Sequence, residues 1–66
     1  MLPQGEILTL QRQFQYHIQY AVPVQVYRGN VHVDIGVVTA VDEGFVELQG
    51  TLYNRNLFTF ISRPGY

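Results

Sequence analysis

The residues of this chain that could do chemistry are few and spread out. Asp34, Asp42, Glu43 and Glu47 are its central carboxylates. A carboxylate pair divides acid and base work only when its surroundings push the two pKa values apart. The spacing of Asp34, Glu43 and Glu47 is that of solvent faces on strands, which does not do that. His17 and His32 are the only histidines, and there is no cysteine. Protein metal sites draw on clusters of such ligands, so two distant imidazoles read as surface or hydrogen-bonded side chains. Neither a metal nor another cofactor is expected. Ser62 has no histidine at a spacing that marks a nucleophile and its base. The residues therefore point to a non-enzyme.

Binding is the remaining kind of chemistry. Arg12, Arg28, Arg55 and Arg63 are scattered, lysine is absent and the net charge is −1. Proteins that hold nucleic acid take most of their affinity from Lys and Arg on phosphate. A single copy of this chain offers little of that, although a ring of copies would gather one arginine per subunit into a patch. The aromatics Phe14, Tyr16, Tyr20, Tyr27, Phe45, Tyr53, Phe58, Phe60 and Tyr66 are many for a 66-residue chain. Most must pack, and any left exposed would meet a protein partner or stack on bases. Tyr27, Tyr53 and Arg55 sit beside turns and are the expected exposed members. With Arg28, Asp42 and Arg63 they make up the candidate contact set. Asp42 also has a plainer reading, as a turn aspartate accepting backbone N–H bonds in Asp42-Glu43-Gly44.

Sixty-six residues make one domain, spanning 1–66. The chain is 47% hydrophobic and 14% charged, which excludes a disordered composition. A domain this small usually needs a staple, a metal or a partner subunit. Disulfides are excluded, so homo-oligomerisation is the expected aid. No stretch approaches the roughly 18 apolar residues of a membrane span. The opening residues lack the basic head and apolar run of a signal peptide. A cytoplasmic protein without membrane contact is the expectation.

The elements that must position these residues are mostly strands. Val22, Val24 and Val26 alternate with Pro23, Gln25 and Tyr27, which predicts a half-buried strand with Pro23 at its start or at an edge. Arg28-Gly29-Asn30 is a turn. Val31 to Val41 alternates through Val31, Val33, Ile35 and Val37, and Gly36 inside it marks a bend. Asp42-Glu43-Gly44 is the next turn, with Gly44 suited to positive φ. Phe45–Gln49 and Thr51–Tyr53 follow as strands, Asn54-Arg55-Asn56 as a turn and Leu57–Ile61 as the fifth strand. The N-terminal twenty residues fit two templates. Ile7, Leu10, Phe14, Ile18 and Ala21 share a helix face, whereas Phe14, Tyr16, Ile18 and Tyr20 alternate as in a strand. The fold class is mainly β, a small, strongly bent five-stranded SH3-like barrel over 22–61, preceded by a helix or by an extra strand.

The run Gly36-Val37-Val38-Thr39-Ala40-Val41-Asp42, followed by Phe45-Val46-Glu47-Leu48, resembles the first motif of the Sm-like (LSm) family. In that motif a second-strand glycine precedes an apolar run and an aspartate. Leu57 to Ser62 resembles the closing strand more loosely. In outline the chain is similar to small Sm-like proteins of spore-forming Gram-positive bacteria. The resemblance implies a helix before the first strand, and rings formed by pairing fourth and fifth strands of neighbouring subunits. It also implies RNA binding in some members. Here the asparagine and the basic signature of those members are missing after Asp42 and around Arg63. The reading is an oligomeric interaction module that binds protein or itself, with an RNA-binding ring as the alternative.

Overall fold

The computed structural model describes residues 5–65. Tyr66 and the first four residues, on which part of the signal-peptide reading rests, lie outside them. The elements run α1 (Gln11–Gln19), β1 (Pro23–Arg28), β2 (Val31–Val41), β3 (Phe45–Leu48), β4 (Thr51–Asn54) and β5 (Thr59–Ser62). The strands form one antiparallel sheet in the order β4-β3-β2-β1-β5. The fold is mainly β with one short helix. Among the described residues closure into a barrel is not seen, because β4 and β5 remain the two outer strands.

The ambiguous N-terminal third is divided between its two templates. Residues 11–19 are helical, which removes the extra-strand alternative there. Gln13 stabilises the start of α1: its Oε1 accepts from Thr9 N at 2.8 Å and from Leu10 N at 2.9 Å. Leu10, at the cap position, has no side-chain oxygen to return the bond, so this capping is one-sided. The helix ends with Val22 N donating to His17 O and Ala21 N to Ile18 O, which places Ala21 at φ 52. A glycine normally takes that left-handed position. Before the helix, residues 6–8 run along β5, with Ile7 bridged to Ile61 and Gly5, at φ 87, leading into them.

The long strand β2 is the hinge of the sheet. It pairs with β1 from Val31 to Val37 and with β3 from Val38 to Val41. Its register slips by one residue at two places, leaving Val33 and Thr39 as extra residues on either side of Gly36. Such bulges bend a strand and increase its twist. The bend expected at Gly36 is thus produced by its flanks. A Cβ at Gly36 would meet only ordinary contacts, Gln49 Oε1 at 3.7 Å and Leu48 at 3.8 Å.

The slip at Val33 also decides which residues of β2 face the core. Gly36 lies opposite Val24 and Asp34 opposite Val26, both fully buried valines, while Ile35 and Val37 lie opposite Gln25 and Pro23 on the outer face. The core gathers Leu8, Phe14, Val24, Val26, Val38, Val46, Leu48, Tyr53 and Phe60. Phe14 of the helix meets Phe60 edge-to-face at 5.5 Å. Burying a side chain of this size contributes about 1.5–3 kcal/mol, which is what docks a nine-residue helix too short to persist alone.

Two turns differ from expectation. Gly44 does not take a positive φ; Asp42 shapes that turn instead, its Oδ1 accepting from Gly44 N and Phe45 N at 2.8 Å each. The fifth strand begins at Thr59, two residues later than its pattern predicts, because Leu57 N and Phe58 N are both bound to Asn54 O in the turn.

Candidate functional site

The six candidate contact residues fall into separate places. Asp42 and Arg55 come together where the β2–β3 turn, the β4–β5 turn and the start of α1 meet. Arg55 donates through Nη1 to Gln11 Oε1 at 2.7 Å and to the Asp42 carbonyl, and through Nη2 to the Thr9 carbonyl at 3.1 Å. Its guanidinium stacks 4.8 Å from the centre of the Phe14 ring. Arg55 is thus an internal staple rather than an exposed contact. The planar fork has fixed donors, and here three neutral acceptors and an aromatic face hold it. It forms one wall of a groove of about 460 Å³, with Phe14, Phe58 and Phe60 among the other lining side chains.

The Asp42 carboxyl is held below its ordinary value of 3.8 by the Phe45 N–H bond first, then by the Gly44 N–H bond and the nearby Arg55 charge. A lowered folded value means the turn's contribution is present above that ordinary value. It is lost as pH falls through the folded one.

Tyr53 is 8% exposed and belongs to the core, contrary to its expected place beside a turn. Its position opposite Val46 puts it on the inner face of β4. The hydroxyl donates to Asp34 Oδ2 at 2.7 Å. That bond first, then burial, then the Asp34 charge push the tyrosine up to about 12. Asp34 is therefore not a solvent-face carboxylate. It shares the inner side with Val26, and its second oxygen accepts from Ile35 N at 2.8 Å.

Arg28 is exposed, with its guanidinium 5.6 Å from the Phe58 ring centre, and Phe58 in turn meets Tyr53 at 5.1 Å. Tyr27 is half-buried on the outer face, edge-on to His32 at 5.3 Å. Arg63 is half-buried and donates to Gln25 Oε1 and to the Ser62 carbonyl. Arg28 alone of the six is an exposed cation.

The pair that sequence reasoning missed is His17 and Ser62, both fully buried. His17 Nδ1 lies 2.6 Å from Gln13 O, an oxygen that only accepts, so Nδ1 carries the proton. In the uncharged ring Nε2 is then the acceptor for the Ser62 hydroxyl at 2.7 Å. This is the orientation of a general base on a serine. Neither side chain lines the groove, however, and a nucleophile has to reach its substrate. The pair ties α1 to β5. Its sequence signal was the helix spacing Phe14–His17–Ile18, which places the imidazole on the buried face. Ser62 continues the inward alternation of Phe60.

Among the described residues, no three of His, Asp and Glu converge as a metal-holding group, and no helix is long and apolar enough to cross a membrane. The chain matches no protein-family model, no curated protein and no solved structure.

Proposed function

We propose that this chain is a non-enzymatic interaction module, a small Sm-like barrel that associates with itself and with protein partners. The observation that carries this is where its large apolar side chains are left. Ile7, Phe45, Leu52 and Leu57 stand 43–62% exposed, outside the core. Ile7, Ile61 and Ile35 also line up in one row across the outer face, interrupted only by Gln25. Apolar surface kept in register on a sheet is what a protein interface needs. A helix ahead of β1 and a long second strand bent around Gly36 support the Sm-like reading of the fold.

The arginine geometry weighs against RNA as the partner. Arg55 and Arg63 spend their donors on the protein's own acceptors, so a ring of copies would present mainly Arg28 and Arg12.

Native mass and sedimentation measurements across a concentration series test the reading. Self-association is expected, and a labelled U-rich or A-rich oligonucleotide should show no salt-dependent shift. A monomer at every concentration would overturn self-association, and oligonucleotide binding that weakens steeply with salt would restore the RNA alternative.

A further inference from the structure

The two outer strands of the sheet are left in different states. The free side of β5 is occupied by the chain itself. Gly5 N donates to Ser62 O at 2.9 Å, Ser62 N to Glu6 O at 2.8 Å and Leu8 N to Phe60 O at 2.8 Å. β4 has no such cover among the described residues.

The loop joining β3 to β4 fixes which groups of β4 point outward. It has two residues, Gln49 at φ 49 and Gly50 at φ 96. In such a hairpin the flanking residues, Leu48 and Thr51, exchange both backbone bonds, and bonded and unbonded pairs then alternate. The bond from Arg55 N to Gly44 O at 2.9 Å keeps the same phase. Leu52 therefore turns both its N–H and its C=O away from β3, as Asn54 does its N–H. Thr51–Asn54 contains no charge, no proline and no bulge, the devices that guard other edges.

We infer that β4 pairs antiparallel with β4 of a second copy about a two-fold axis at Leu52, giving a closed dimer rather than a ring. This rests on the self-association proposed above. A ring built by edge pairing is head-to-tail and needs two open edges per subunit; a chain with one open edge meets a like edge only around a two-fold axis. In the dimer Leu52 exchanges both backbone bonds with Leu52 of the partner subunit, and Asn54 N–H reaches Gly50 O of the partner subunit.

The outer face suits the pairing. Leu52, 62% exposed, extends the row Ala40–Glu47–Leu52 towards the axis. The one charge in that row is turned away, because Thr39 on β2 donates to Glu47 Oε1 at 2.9 Å, on the side of β3 remote from β4. Like charges therefore do not face each other across the seam.

Sedimentation velocity on the full chain over a concentration series should give a monomer–dimer equilibrium. Leu52→Lys puts two like charges on the axis and should weaken the dimer roughly tenfold or more, leaving the circular dichroism of the exposed-site variant unchanged. In the unaltered chain, hydrogen-exchange protection of the Leu52 and Asn54 amides should rise with concentration, which tests the seam even if the variant folds poorly. A ring of six or seven, a dimer indifferent to Leu52→Lys, or amide protection independent of concentration would each overturn the inference while leaving self-association standing. A monomer throughout would overturn both.

Discussion

The two ends of the sheet each hold a polar pair, but they build it from different parts of the chain. At the β1–β5 end the pair is His17 with Ser62, fully buried and 45 residues apart in sequence. At the β3–β4 end it is Tyr53 with Asp34, half-exposed on its acid side and 19 residues apart. The first end is finished by distant pieces, a helix and residues 5–8. The second is made by successive hairpins and stays open at its edge. Buried hydrogen bonds contribute modestly when made and cost far more when one partner is orphaned. The non-local end should therefore be the more sensitive to substitution, and the local end the more tolerant.

His17→Ala sharpens that contrast most. It opens a cavity beside Phe14 and leaves the Ser62 hydroxyl without a partner, so a loss of about 3–4 kcal/mol is expected in urea unfolding. Ser62→Ala should cost less. The double variant should cost clearly less than the sum, by at least about 1 kcal/mol, as expected for residues in direct contact. Simple additivity would mean that the imidazole only fills space.

Tyr53→Phe is the matching test at the other end. Loss of a bond to a carboxylate is expected to cost about 1.5–3 kcal/mol near neutral pH. The folded value of about 12 lies above the ordinary 10.0, so this contribution is full below pH 10 and disappears as pH rises towards 12. Denaturation midpoints should fall over that window in the unaltered chain and fall less in the variant. Parallel curves would break the assignment.

The smallest effects concern the one non-glycine residue that each region holds at positive φ among the described residues, Ala21 behind the helix and Gln49 in the hairpin loop. Ala21→Gly should raise stability by about 0.5–1 kcal/mol, because the left-handed backbone costs alanine more than the added chain entropy costs glycine. Gln49→Asn should gain a few tenths, since asparagine suits a type I′ loop. Thermal midpoints are enough to read both, and a drop in either would show that a side-chain contact outweighs the backbone.

What could be read from the sequence divides along the same line. Gly29-Asn30, Gly50 and the alternation of Val24 with Val26 and Val46 with Leu48 are local, and they placed five strands close to where they lie. The inner face of β2 was hidden, since the one-residue slip at Val33 depends on what Val26 and Tyr27 pair with. Tyr53 and Arg55 looked exposed because both stand near a turn. Tyr53 faces in through its pairing with Val46, and Arg55 is drawn inward by Thr9, Gln11 and Phe14, more than 40 residues earlier. His17 and Ser62 gave no joint signal because nothing local links them.

Residues 5–8, lying along β5, also set an order of events for a growing chain. These residues emerge before their hydrogen-bonding partners, Phe60 to Ser62, which follow more than fifty residues later. The hairpins of β1 to β4 can form meanwhile from near neighbours, but the helix has no Ser62 to dock against and β1 has no β5 beside it. The open β4 edge is thus exposed from the moment it forms, whereas the β5 edge is sealed almost as soon as it appears. Of the two edges open in a nascent copy, the one on β1 closes when β5 pairs with it, and the one on β4 alone persists for a second copy to meet.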